Sequence, residues 1–537
     1  MTVAIADIKF GNIDARHEIL SRDPANRRLF LDAFFVPDNF ELDSLLKGDK
    51  FVIVGPKGSG KTAYLRFIQH KLNEKEHSDS RFIIFRDEIT QQDRDKISTL
   101  ASFRFYEEAS LGTKDEYISD CTSAWQLFIH REIATLLARN HGVCAMTPDV
   151  TNYVALLDRF FSSFKTSKFK QFLQRIAKGR VKLAGLGNSL EVEADFIDSH
   201  GNIDVSEFVR FCNGVVAGLD FDAEREGARL NIFFDELNIS FVSGQDFKKN
   251  AVLIRDLVAA CGISNSLFAE NQLPIYVYTA IRSEVVDSIE SSVRELRKWI
   301  DDKAVVLSWM LPSVDYKDQP IIKLLERRIL ANELSIEPNR HKEISLSTYF
   351  SDPIFGRPFS DYIIFESWAR PRDLVRLLGS AAKYVPKGEK FNSDAFHKAR
   401  SEYSKGSWEE KRDELNSKYA QAEIDSIKRT LTGFQTTFTL LQLETRIAHL
   451  SGRDPRIKQF FSGRILEVVL EDLFKVGVLG NLLKSKKGSS FPSFQYSGLT
   501  NFSPEGTMCI HKSLWRELDL ESISGPMAHS LRRTKRS

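Results

Sequence analysis

Residues 51–62 read FVIVGPKGSGKT, and AYLRFIQHKL follows at once. A short apolar β-type run, a glycine-rich loop of the form G-x-x-x-x-G-K-T and a helix-spaced apolar pattern stand in the one order that makes a phosphate cradle. Gly55 and Gly60 let the loop fold back so that backbone N–H groups point inward, with Gly58 helping the turn, and the following helix adds its positive dipole end. Lys61 then reaches the β- and γ-phosphates as a point charge, and the Thr62 hydroxyl suits Mg²⁺. The whole run Gly55, Pro56, Lys57, Gly58, Ser59, Gly60, Lys61, Thr62 and Ala63 is the candidate nucleotide-binding segment. A chain built on this unit must place the strand inside a parallel α/β sheet, because such loops cap the carboxyl end of a buried strand.

A second acidic strand is expected, and 229–237 supplies it as RLNIFFDEL. Asp235 would hold Mg²⁺ through water and Glu236 would polarise the attacking water as general base; the plain alternative is a buried strand ending in a solvated acidic turn. Three further runs, SRFIIFRDE (80–88), LPIYVYTAIRSEV (273–285) and KAVVLSWM (303–310), complete five strands alternating with helices. The adjacent acidic pair resembles that of the additional-strand P-loop ATPases, which include the AAA+ and STAND proteins. That resemblance implies the strand order 5-1-4-3-2, ATP as ligand, and a sensor residue at the end of the 273–280 strand, where Arg282 stands. RPRDLVRLL at 370–378 is similar to the region of the helical lid from which an arginine reaches the γ-phosphate, so Arg370 and Arg372 are both candidates. Arg294 and Arg297 are candidate trans-acting fingers should the chain form a homo-oligomer. No N-K-x-D string follows the acidic strand, which points to ATP over GTP.

The FGNIDA…E start (10–18), the phosphate loop, the RPRD lid and the C-terminal pattern together resemble a family of bacterial P-loop ATPases of the AAA+/STAND-like class carrying a C-terminal winged-helix-like unit. In related ATPases the segment before the phosphate loop packs beside adenine, so residues 10–15 are candidate base contacts. The expected organisation is an ATPase core over 1–310 with a mainly helical insertion at 87–228, a helical lid over 311–405, a helical connector over 406–435, a winged-helix-like α+β domain over 436–520 and a basic tail over 521–537. Within the insertion, Lys165, Lys168, Lys170, Arg175, Lys178, Arg180 and Lys182 interleave with Phe164, Phe169 and Phe172, a pattern that fits either a nucleic-acid backbone or one solvated helix face. Lys484, Lys486 and Lys487 fall where a wing tip would be.

Composition narrows the function. At 537 residues the chain has room for about three to four domains. Lys and Arg total 75 against 73 Asp and Glu, so charge-driven binding must be local rather than a property of the whole molecule. Five scattered cysteines without a C-x-x-C pair argue against a disulfide framework or zinc ribbon and fit a cytoplasmic protein. The N-terminus lacks the pattern of a signal peptide, and no apolar run is long enough for a membrane span. No motif of a separate catalytic domain occurs. The expected function is therefore an ATP-binding and ATP-hydrolysing switch or motor that regulates a protein effector, with bacterial antiviral defence implied by the resemblance. The alternative is a nucleotide-dependent regulator that binds DNA through its C-terminal domain.

Overall fold

The computed structural model describes residues 3–75, 77–85, 121–139, 142–163, 205–221, 227–237, 244–290, 294–339, 344–416, 418–484, 490–497 and 501–520. Five strands, β1 (Val52–Gly55), β2 (Ser78–Ile84), β3 (Arg229–Leu237), β4 (Ile275–Arg282) and β5 (Ala304–Val306), form a parallel sheet in the order β2-β3-β4-β1-β5. In register, Val52 lies beside Thr279 of β4 and Ala304 of β5, while Ile84 lies beside Asp235. All four β1 residues are buried, as a continuous Val/Ile run between two helical layers requires. The order puts the carboxyl ends of β1, β3 and β4 side by side, and this fixes where the site must be.

Among the described residues of the insertion, three helices, Thr122–Arg139, Pro148–Ser163 and Val205–Ala217, cover the β2 side of the sheet. The buried His130 pins them together: Nδ1 meets the Tyr153 hydroxyl and Nε2 meets Asn213, each at 2.8 Å. The basic cluster 165–182 and the tail 521–537 lie outside the described residues, as do Lys486 and Lys487.

Residues beyond the sheet form helices Pro320–Ile336, Phe359–Glu366, Pro371–Ala382 and Ser393–Leu415. The last runs unbroken across 405/406, where the sequence suggested a lid ending and a connector beginning; its N-cap Asn392 and the turn after Leu415 are the real ends. A separate helix, Gln421–Leu431, follows.

The C-terminal unit has three helices, Leu440–Ser451, Pro455–Ser462 and Leu466–Lys475, on a four-stranded antiparallel sheet. Its strands are β6 (Thr437–Phe438), β7 (Leu479–Lys484), β8 (Ser490–Ser493) and β9 (Met508–Ile510), in the order β6-β9-β7-β8. FQYSGL, read as a short strand or a strand-to-helix transition, instead carries a single helical turn, Gln495–Ser497, and the strand stands earlier, at β8. Pro492 masks that strand in sequence, yet β8 is an edge strand, where a missing donor is tolerated.

This unit docks on the turn that leads into helix Pro371–Ala382. Trp368 and Ala369 both have positive φ, 49° and 48°, which turns the Trp368 ring into the C-terminal unit. There it stacks on His511 with ring centroids 4.0 Å apart and donates to the Gly477 carbonyl at 2.8 Å. Gly477, itself at φ +79°, has no room for a Cβ, which would lie 2.9 Å from the indole.

Candidate functional site

At the end of β1 the chain enters the loop because Gly55 allows it: a Cβ there would stand 2.7 Å from Ser59 Oγ. Gly58 and Gly60 take φ of +80° and +98°, and Gly60 is the residue from which helix Lys61–Asn73 starts. The indole of Trp309, just past β5, donates to the Ser59 carbonyl at 2.7 Å and so holds the loop, while the same residue also lines the cleft. The resulting cleft, open to solvent, is lined by Lys57, Gly58, Gly60, Lys61, Thr62 and Ala63 of the loop. Gly55 and Ser59 are buried behind it, and Pro56 faces a smaller neighbouring cavity.

Lys61 is enclosed. Its ammonium nitrogen donates to the carbonyls of Gly55 and Pro56 at 2.8 and 2.9 Å, and burial pulls its pKa down to about 7, with Arg282 and Arg372 adding to the effect against Glu284 and Asp235. Thr62 hydrogen-bonds the Asp235 carboxylate. Burial raises the Asp235 pKa, and its Oδ2 has no hydrogen-bond partner. A hydroxyl and a carboxylate with an unsatisfied buried oxygen, beside a lysine, form a donor set that fits Mg²⁺.

Glu236 lines the same cleft from the end of β3, at a φ of +56° that is uncommon for a non-glycine residue. Arg282, largely buried at the end of β4, also lines it; burial lowers its pKa, with Glu284 opposing. Asp235, Glu236, Lys61, Thr62 and Arg282 are thus brought together.

The two lid arginines separate. Arg372 lines the cleft, its backbone N–H donating to the Gly58 carbonyl at 3.3 Å and its Nε to the Ile13 carbonyl at 3.2 Å. Arg370 does not reach the site: it is buried against Glu414, 2.7 Å away, and burial, which alone would lower its pKa, is outweighed by Glu414 and Asp373. The preceding left-handed turn aims the two side chains in different directions, which their spacing around Pro371 could not reveal. The side chain of Lys57, which also lines the cleft, pairs with Glu410 and Asp413 at 3.0 Å each on helix Ser393–Leu415. Arg297 pairs with Asp301 on its own helix and is not part of the cleft lining.

Sequence reasoning missed two features. Glu410 is a hub joining Lys57, Arg372 and Arg376; burial would raise its pKa, but these three cations bring it to about 2. Arg16, from the N-terminal segment, lies 3.2 Å from Glu236. Neither has a local sequence signal, since both partners are distant in the chain. The far end of the cleft is apolar, with Phe10, Ile13, Leu324, Val375 and Leu378.

Residues 319–410 match the family model of the FunZ-associated C-terminal helical domain. Among solved structures, the chain is similar to the ORC2 protein of Aeropyrum pernix in its ADPNP and ADP complexes, at 11% identity and a TM-score of 0.38, covering 94% of this chain and 98% of that one. No curated protein matches the sequence.

Proposed function

We propose that the chain is an ATP-binding, ATP-hydrolysing switch of the AAA+/STAND-like kind that regulates a protein partner. The observation that carries this reading is the convergence of Lys61, Thr62, Asp235, Glu236 and Arg282 with the lid residue Arg372 on one cleft whose far end is apolar enough for a base. Phosphoryl transfer asks little covalent chemistry of a protein, so positioning and charge suffice. The loop N–H groups and Lys61 bind the phosphates. Thr62 and Asp235 would hold Mg²⁺, which supplies neutralisation of the developing phosphate charge. Glu236 takes the proton of the attacking water, Arg282 stabilises charge at the γ-phosphate, and Arg372 reports through the lid whether that phosphate is present. Phe10 and Ile13 contact the base.

We read 436–520 as a winged-helix-like domain, and its surface favours a protein partner over DNA. The helix in the recognition position, Leu466–Lys475, exposes Glu467, Val468 and Glu471 beside the exposed Ile465, a face that repels phosphate. Steady-state ATP turnover and nucleotide binding of wild type, Lys61→Ala and Glu236→Gln, each with and without duplex DNA at low salt, test the proposal. Lys61→Ala should lose binding, and Glu236→Gln should bind and not turn over. Unchanged turnover in Glu236→Gln removes that residue as the base, and salt-sensitive DNA stimulation transfers the favour to the DNA-binding alternative.

A further inference from the structure

The N-terminal segment crosses the mouth of the cleft, tied on both sides. On the lid side, Arg328 donates to the Lys9 carbonyl at 2.9 Å and pairs with Glu18, which also accepts the Asn12 N–H at 2.8 Å, and Arg372 holds the Ile13 carbonyl. On the core side the tie is Arg16. Its guanidinium is shared between Asp14, at 2.6 Å, and the Glu236 carboxylate, at 3.2 Å, with the three side chains 20–28% exposed. Glu236 itself stands at the end of β3 with a φ of +56°.

Resting on the ATPase reading above, we propose that Arg16 is a positioning residue that restrains Glu236, so that hydrolysis waits for the N-terminal segment to let go. A guanidinium beside a carboxylate occupies the lone pair that a water would use and holds the carboxylate in place. Asp14 competes for the same guanidinium and thereby weakens the restraint. The two residues therefore act on turnover with opposite signs, which no merely structural role would produce.

Turnover, resolved into kcat and KM, and calorimetric MgATP affinity should be compared for wild type, Arg16→Gln, Arg16→Lys, Asp14→Asn and the double variant Arg16→Gln/Glu236→Gln. Arg16→Gln should raise kcat about tenfold, with KM and affinity within twofold. Arg16→Lys should stay near wild type, Asp14→Asn should fall below it, and the double variant should be inactive. A fall in kcat for Arg16→Gln at unchanged KM, meaning direct action on the phosphate, or no change at all, overturns the proposal. Should Arg16→Gln not fold, a rise in Asp14→Asn overturns it equally. Loss of the ATPase reading shows separately, as nucleotide affinity indifferent to Lys61→Ala.

Discussion

Lys61 offers a measurement that needs no variant. Its pKa of about 7 in the free protein arises from burial, which outweighs Glu284 and Asp235 nearby, with its ammonium donating to the carbonyls of Gly55 and Pro56. A bound triphosphate places several negative charges against it and restores the ammonium form, so binding must draw a proton from solvent. With a free-protein pKa near 7 and a complex in which the lysine stays charged, uptake is about 0.9 proton at pH 8, about 0.5 at pH 7 and about 0.1 at pH 6. Because the complex holds more protons than the free protein, affinity falls as pH rises, by about fivefold between pH 7 and 8. Titration calorimetry of MgATP in two buffers of different ionisation enthalpy gives the proton number directly at each pH. Heats that do not depend on the buffer at pH 8 would show Lys61 already charged and refute the reasoning.

Two further outcomes follow from the charged network under the lid. Arg370→Met takes from the buried Glu414 one of its cations, Lys411 remaining 3.2 Å away, and should cost about 1.5–3 kcal/mol, read as a drop in denaturation midpoint, with nucleotide affinity of the folded protein retained. Glu410 has its folded pKa near 2 against an ordinary 4.5, so its contribution is full above pH 4.5 and is lost as pH falls toward 2. Glu410→Gln should therefore destabilise the lid by about 3 kcal/mol at pH 7, with the gap from wild type closing on acidification; a gap constant with pH would contradict this.

What the sequence made legible was local structure carried by neighbours in the chain. Gly55 to Ala63 and Asp235-Glu236 could be read because the loop, helix start and acidic strand end each need particular residues at fixed spacing, and continuous apolar runs marked the strands. Three things were not legible. The choice between Arg370 and Arg372 depends on two left-handed residues, Trp368 and Ala369, that carry no glycine to announce them. The roles of Arg16 and Lys57 depend on partners 220 and more than 350 positions away in the chain. And β5 was read as eight residues where three pair, because Trp309 leaves the strand run to hold the loop.

The His511–Trp368 stack gives the molecule a mechanical property. The indole is clamped between the imidazole on one side and the Lys411 ammonium, 4.4 Å from the ring, on the other, and the turn that bears it leads straight into the helix whose first residues touch Gly58. Such a turn has no slack to absorb displacement. The C-terminal unit and the loop at Gly58 are thus joined through one short stretch of chain, residues 368–372, with Trp368 at its packed end.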